Sequence, residues 1–178
     1  MDDIDIIRLS VPGTLLFRDV VLRVVASTCR LARAEALKKQ DPSRTAHDPD
    51  FDDMVVSAVG EAFNNVAIHA YRGNTRGTIG IELELHADKI TIRLSDTGSG
   101  FDLSTQPLPD LAALPERNMG LFVMRVSMDK VSYTRGNPPS VPNVLTLTKR
   151  YGPSTGPGPV HEERSDRQRS PSATTESE

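Results

Sequence analysis

Apolar and polar positions follow two different periods along the chain. The clearest run begins after Thr78, where Ile79, Ile81, Leu83 and Leu85 alternate with Gly80, Glu82, Glu84 and His86, and resumes where Ile90, Ile92 and Leu94 alternate with Thr91, Arg93 and Ser95. A period of two marks half-buried strands, and the short break at Ala87 and Asp88 makes the pair a hairpin. Ile4 to Leu9, closed by Pro12 and Gly13, reads as an opening strand, and Val131 to Arg135 and Val144 to Lys149 read as two more.

The second period is helical. Leu15 to Leu37 carries it first, with Leu16, Val20, Val24 and Leu31 expected among its buried residues. Gln40 to Asp52 has the composition of a loop and ends in acidic residues suited to cap a helix. The next helix is expected from Phe51 to Tyr71. Steps of about 100° put Val55, Val59, Ala62, Val66 and Ala70 on one side of it and Glu61, Asn65 and His69 on the adjacent stripe. A glycine-containing loop, Asp96 to Asp102, and a connection with Pro107, Pro109 and Pro115 lead to a third helix from Gly120 to Met128. Helices on one face of a mixed, mostly antiparallel sheet define an α+β two-layer sandwich.

Composition changes this picture at the C-terminal end. Beyond Tyr151 the chain is Gly, Pro, Ser, Thr and charge, which buries too little to offset its ordering entropy. One domain over residues 1–151 and a disordered tail over 152–178 are therefore expected, with no internal repeat. The net charge of −3 is spread without a single-sign block, which argues against a direct nucleic-acid surface. A single cysteine, Cys29, rules out an internal disulfide and a cysteine-based zinc site and reads as a small core residue. The longest apolar run, Val20 to Ala26, contains Arg23 and falls far short of the roughly 20 residues that span a bilayer. Met1 to Asp5 is acidic, without the basic start of a signal peptide, so cytoplasmic residence is expected.

Three short patterns carry candidate chemistry. Glu61 and Asn65 stand one helical turn apart, where a carboxylate can accept a proton and a neutral amide oxygen can ligate a hard cation such as magnesium. His69 on the same stripe has the ordinary alternative of a packed or hydrogen-bonded structural residue and is left out of the catalytic set. Asp96, Gly98 and Gly100 follow a strand as Asp-x-Gly-x-Gly; a carboxylate there can accept from an exocyclic amine, and glycines let backbone approach a flat ring or a phosphate. Asn118, Met119, Gly120 and Leu121 precede a helix, where free N–H groups favour an anion. Taken singly, each pattern also fits a solvated helix edge, a strand-ending turn or a plain connection.

In this order, Glu61-x-x-x-Asn65-x-x-x-His69, Asp96-x-Gly98-x-Gly100 and Met119-Gly120-Leu121 resemble the N-box and two glycine boxes of the GHKL superfamily of ATP-binding proteins. Within it the chain is most similar to the bacterial anti-sigma factor serine/threonine-protein kinases, through Val59 to Tyr71, Asp96 to Asp102 and Met128 to Val131, over nearly all of residues 4–150. The resemblance implies a Bergerat-type fold with ATP and magnesium as cofactors. It implies that Glu61 is the general base toward a partner's serine, that Asn65 holds magnesium, and that Asp96 bonds the adenine amine. Gly98 and Gly100 would admit the nucleotide, and Gly120 and Leu121 would present N–H groups to the phosphates. It further implies an anti-sigma factor that binds a sigma factor and phosphorylates an antagonist protein in a partner-switching circuit, with homodimers common among relatives. The sequence departs from the family at Asn118, where a glycine is usual, and at Val144 and Leu145, near which many relatives carry an adenine-site threonine. Asn118 keeps open the alternative of a non-catalytic ATP-binding regulator that sequesters its partner. A sensor histidine kinase would need a phosphoacceptor helix ahead of the N-box, and only about fifty residues precede it.

Overall fold

The computed structural model describes residues 4–38, 49–71, 77–100 and 119–151. The expected loop around 40–48, Gly73 and Asn74, the segment 101–118 with Asn118, and the tail 152–178 lie outside the described residues.

The strands are β1 (Asp5–Pro12), β2 (Thr78–Leu85), β3 (Lys89–Asp96), β4 (Lys130–Thr134) and β5 (Asn143–Arg150). They form one sheet in the order β1-β2-β3-β5-β4, with every adjacent pair antiparallel. The hairpin closes where the sequence places it: Leu85 faces Ile90, and the His86 N–H donates to the Lys89 carbonyl at 2.9 Å. The alternation then sends Ile79, Ile81, Leu83, Ile90, Ile92 and Leu94 into the core and the intervening polar residues outward.

The outer face carries a charge ladder set by strand register. Arg8 of β1, Glu82 of β2 and Arg93 of β3 stand side by side, with Arg8 Nε donating to Glu82 Oε2 at 2.6 Å and Arg93 to Glu82 Oε1 at 3.4 Å. Arg93 also pairs with Glu84, whose other oxygen lies 3.2 Å from His86 Nε2. Opposite charges side by side on one sheet face favour this register.

Three helices cover the inner face: α1 (Arg18–Lys38), entered through a 3-10 turn at Leu15–Phe17, α2 (Phe51–Asn65) and α3 (Met119–Ser127). The stripe expected on α2 is buried in full, and Phe51 and Phe63 add the largest side chains of that face. Asp50 makes no side-chain cap; its carbonyl accepts from the Met54 N–H at 2.8 Å, and Asp52 and Asp53 supply the negative charge that favours a helix start.

The register of α1 differs from the sequence expectation. Leu16 is 82% exposed and Val20 53%, Leu31 is exposed and Val24 half-buried, whereas Val21, Val25, Cys29 and Ala32 face the core. Leu16 lies in the 3-10 turn and so does not share the helix's phase. Within the helix, Val20, Val21, Leu22, Val24 and Val25 make apolar character nearly continuous, so period alone does not choose a face. The small Cys29 and Ala32 let α1 lie close, and Arg33 Nη2 ties it to α2 through Asp52 Oδ2 at 2.7 Å. Burial, followed by the nearby Asp52 charge, pushes the Cys29 thiol up to about 12, which leaves it inert as a core residue.

Candidate functional site

The helix α2 does not end at Asn65 but passes into a π-helical turn, Val66–Ala70. His69 lies in this turn and is exposed, while Val66, Ala67 and Ala70 remain buried. Tyr71 then folds back between Gly13 and Gly77, and its hydroxyl donates to the Thr78 carbonyl at 2.5 Å and accepts from the Thr97 N–H at 3.2 Å. One tyrosine thus ties the end of the helix to the start of β2 and the end of β3.

Both glycine motifs meet this helix. On one side, the first turn of α3 lies against Glu61 and Asn65. A Cβ at Gly120 would stand 2.8 Å from Glu61 Oε2 and 3.7 Å from Asn65 Oδ1, so only glycine admits this approach unchanged. Leu121, next along, is buried and anchors the helix start in the core. On the other side, the loop after β3 packs on the last residue of the π turn: the Ser99 N–H and hydroxyl donate to the Ala70 carbonyl at 3.0 and 3.3 Å. A Cβ at Gly98 would come within 2.5 Å of that same carbonyl oxygen. Gly100, at φ +70, sits where a Cβ would press on the Tyr133 hydroxyl at 2.8 Å. The bareness of Gly98 and Gly100, read from the sequence as room for a nucleotide, thus has a use within the protein: it lets the loop seat on α2 and β4.

Asp96 is buried at the end of β3. Its Oδ1 accepts from the Gly98 N–H at 2.8 Å and from Asn143 Nδ2 at 3.0 Å, while among the described residues Oδ2 takes no hydrogen bond. The carboxylate is held by one oxygen and presents the other. Sequence reasoning missed Asn143. It looked for a polar partner near Val144 and Leu145, whereas Asn143 begins β5 directly opposite Asp96 and shares the core-facing side with Leu145 and Leu147. The strand's period of two puts position 143 on the inward face, but does not by itself place it opposite Asp96.

These groups suit a magnesium nucleotide. The Asn65 side-chain oxygen is a hard, neutral ligand beside the Glu61 carboxylate, the Asp96 oxygen that bonds to none of the described residues matches an exocyclic amine, and the start of α3 offers N–H groups to an anion. Among the described residues no group of three or more His, Cys, Asp or Glu side chains is placed to hold a metal ion. No helix among the described residues is long and apolar enough to cross a membrane.

An antiparallel sheet covered on one face by helices, with an amide, a carboxylate and two glycine turns gathered on one helix, defines an ATP-binding α+β sandwich. The chain belongs to the histidine kinase-like ATPase domain family, which it matches over residues 20–149. It is 36% identical over 98 residues to the anti-sigma F factor of Clostridium beijerinckii, an alignment covering 51% of this chain and 68% of that protein. It is 34% identical over 82 residues to the serine-protein kinase RsbW of Listeria innocua, covering 42% and 52% of the two chains. The same kinase of Halalkalibacterium halodurans is 34% identical over 93 residues, covering 46% and 54%. The chain spans about half the length of these two kinases.

Proposed function

We propose that this protein is a serine/threonine-protein kinase that acts as an anti-sigma factor, consuming ATP to phosphorylate an anti-sigma factor antagonist in a partner-switching circuit. The observation that carries this reading is the close packing of Gly120 on Glu61 and Asn65, which sets a proton acceptor and a cation ligand at the start of α3. The names of the relatives, a serine-protein kinase and an anti-sigma factor, agree with it.

In this reading Asp96 takes the adenine amine, Gly98 and Gly100 shape the loop that admits the base, and the N–H groups of Gly120 and Leu121 face the phosphates. Asn65 holds magnesium, which when bound neutralises phosphate charge. Glu61 accepts the proton of the partner's serine hydroxyl as its oxygen bonds to the terminal phosphorus and ADP departs. The protein works in the cytoplasm, as a homodimer, through a single domain over residues 1–151. Its partners are a sigma factor and the antagonist rather than nucleic acid.

Purified protein, magnesium ATP and candidate antagonists are expected to yield phosphoserine or phosphothreonine by mass spectrometry. Absence of transfer, together with no change on Glu61→Gln, overturns the kinase reading. Asn118 favours a second reading, a regulator that sequesters its partner and binds ATP without transferring phosphate. Tight partner binding during nucleotide titration, with no phosphorylated product, selects it.

A further inference from the structure

We infer that Asn143 is the positioning residue that holds Asp96 for the adenine amine. The inference rests on the reading of Asp96 as the adenine-binding residue.

Asn143 is only 1% exposed, and both of its N–H donors and its oxygen are engaged. Nδ2 donates one hydrogen to Asp96 Oδ1 at 3.0 Å and the other to the Gly98 carbonyl at 3.1 Å, while Oδ1 accepts from the Gly136 N–H at 3.1 Å. With two acceptors on one side and a donor on the other, only one orientation of the amide satisfies all three contacts. The residue is a strut between the glycine loop after β3 and the connection between β4 and β5. Its second effect is on orientation. Two donors on Asp96 Oδ1 fix the plane of the carboxylate, so the remaining oxygen is turned to the nucleotide as an acceptor. An acceptor suits the amine of adenine and opposes the carbonyl oxygen that guanine carries at the same ring position. The contact therefore bears on base selectivity as well as affinity.

The most discriminating variant keeps the shape and changes one atom. Asn143→Asp preserves an oxygen for the Gly136 N–H but turns the other atom toward Asp96 and the Gly98 carbonyl as a second acceptor. Two carboxylates so placed cannot both stay ionised without cost, and a proton taken up between them restores the missing donor. The measurement is the dissociation constant of a fluorescent ATP analogue with magnesium, from pH 5.5 to 8, for full-length wild type, Asn143→Asp, Asn143→Thr and Asp96→Asn, with circular dichroism on each. The expected weakening for Asn143→Asp relative to wild type is roughly tenfold or more at pH 8, the scale of one lost charged hydrogen bond. It shrinks as pH falls and the shared proton binds. Asn143→Thr, which retains one donor, is expected to fall between the two and to keep ATP over GTP. If folded Asn143→Asp and Asn143→Thr both bind ATP as wild type does at every pH, or if the Asn143→Asp deficit does not change with pH, the positioning role is overturned while Asp96→Asn still abolishes binding. If Asp96→Asn binds ATP normally, the reading of Asp96 fails and this inference with it. Should Asn143→Asp fail to fold at pH 8, Asn143→Thr alone decides, through its affinity and its ATP to GTP ratio.

Discussion

Gly120 and Gly98 are glycines for different reasons, and their alanine variants should separate accordingly. The Cβ of Gly120→Ala meets the far end of the Glu61 side chain at 2.8 Å, and a flexible carboxylate can swing aside. The fold is therefore expected to survive with a melting temperature near wild type, while phosphate transfer falls if the displaced group is the proton acceptor proposed above. Glu61→Gln gives the reference for that loss: about 10²- to 10⁴-fold in rate, the usual weight of a general base, with ATP affinity retained. The Cβ of Gly98→Ala instead meets the Ala70 backbone at 2.5 Å, where nothing can rotate away, so its deficit should appear as lost nucleotide affinity and lower thermal stability together. Equal effects of the two variants on stability and on transfer would contradict this division. At this scale the sequence was legible in naming Glu61, Asn65 and Asp96, which the structure places beside the two glycine motifs. It was silent where the role comes from contact across strands. Asn143 matters because it faces Asp96 in the sheet, forty-seven positions away in the chain, and no local pattern encodes that register.

The elements show the same division between local rule and tertiary choice. The hairpin of β2 and β3 was readable because its period of two has a single solution once one face is buried. Helix α2 was readable because its apolar stripe is narrow, yet nothing in that stripe announces the π turn at its end, where Ser99 docks on Ala70. Helix α1 was misread by one position because too many of its residues are apolar. The packing of α2 makes a direct prediction: Phe63→Ala, at a fully buried site, is expected to cost about 3–5 kcal/mol in chemical denaturation, the range for deleting a buried aromatic ring. The charge ladder makes another. Partial burial pushes the Glu84 carboxyl up, but the hydrogen bond and charge of Arg93, with His86 adding to them, outweigh it and hold Glu84 below its ordinary value of 4.5. A carboxyl held down in the folded state contributes stability above its unfolded value, and that contribution is lost as pH falls through the lower, folded one. Wild type should therefore lose stability on acidification below about pH 4.5 more steeply than Glu84→Gln, in urea titrations at a series of pH values. Parallel pH profiles for the two proteins would show that the ladder contributes nothing.

For the whole molecule, the residues that sequence reading placed in the core and the structure placed outside bear on assembly. Leu16, Val20 and Leu31 of the first helical segment are exposed, and so are Leu15 and, at the start of β1, Ile4 and Ile6. The strand β1 is an edge of the sheet, with one row of backbone groups unpaired by any described strand. Between it and α1 runs a groove of about 350 Å³, lined by Ile7, Val24, Thr28 and Leu31 and bordered by Arg23 and Ser27. Exposed apolar residues of α1 beside a strand edge that no described strand pairs are what a lone soluble domain usually avoids. The surface lies on the edge opposite β4, away from the strands β3 and β5 that carry Asp96 and Asn143, so covering it leaves the nucleotide site open. A second copy meeting it about a two-fold axis would bury the same residues twice, which is the economical arrangement for a homodimer. Light scattering on the full chain at tens of micromolar is expected to give twice the chain's 19.4 kDa. Val20→Asp or Leu31→Asp should return the mass to that of one chain while the affinity for ATP stays within about twofold, since neither residue touches the nucleotide site. A wild-type protein that is monomeric at that concentration, or variants that remain dimeric, would place the subunit contact elsewhere or remove it.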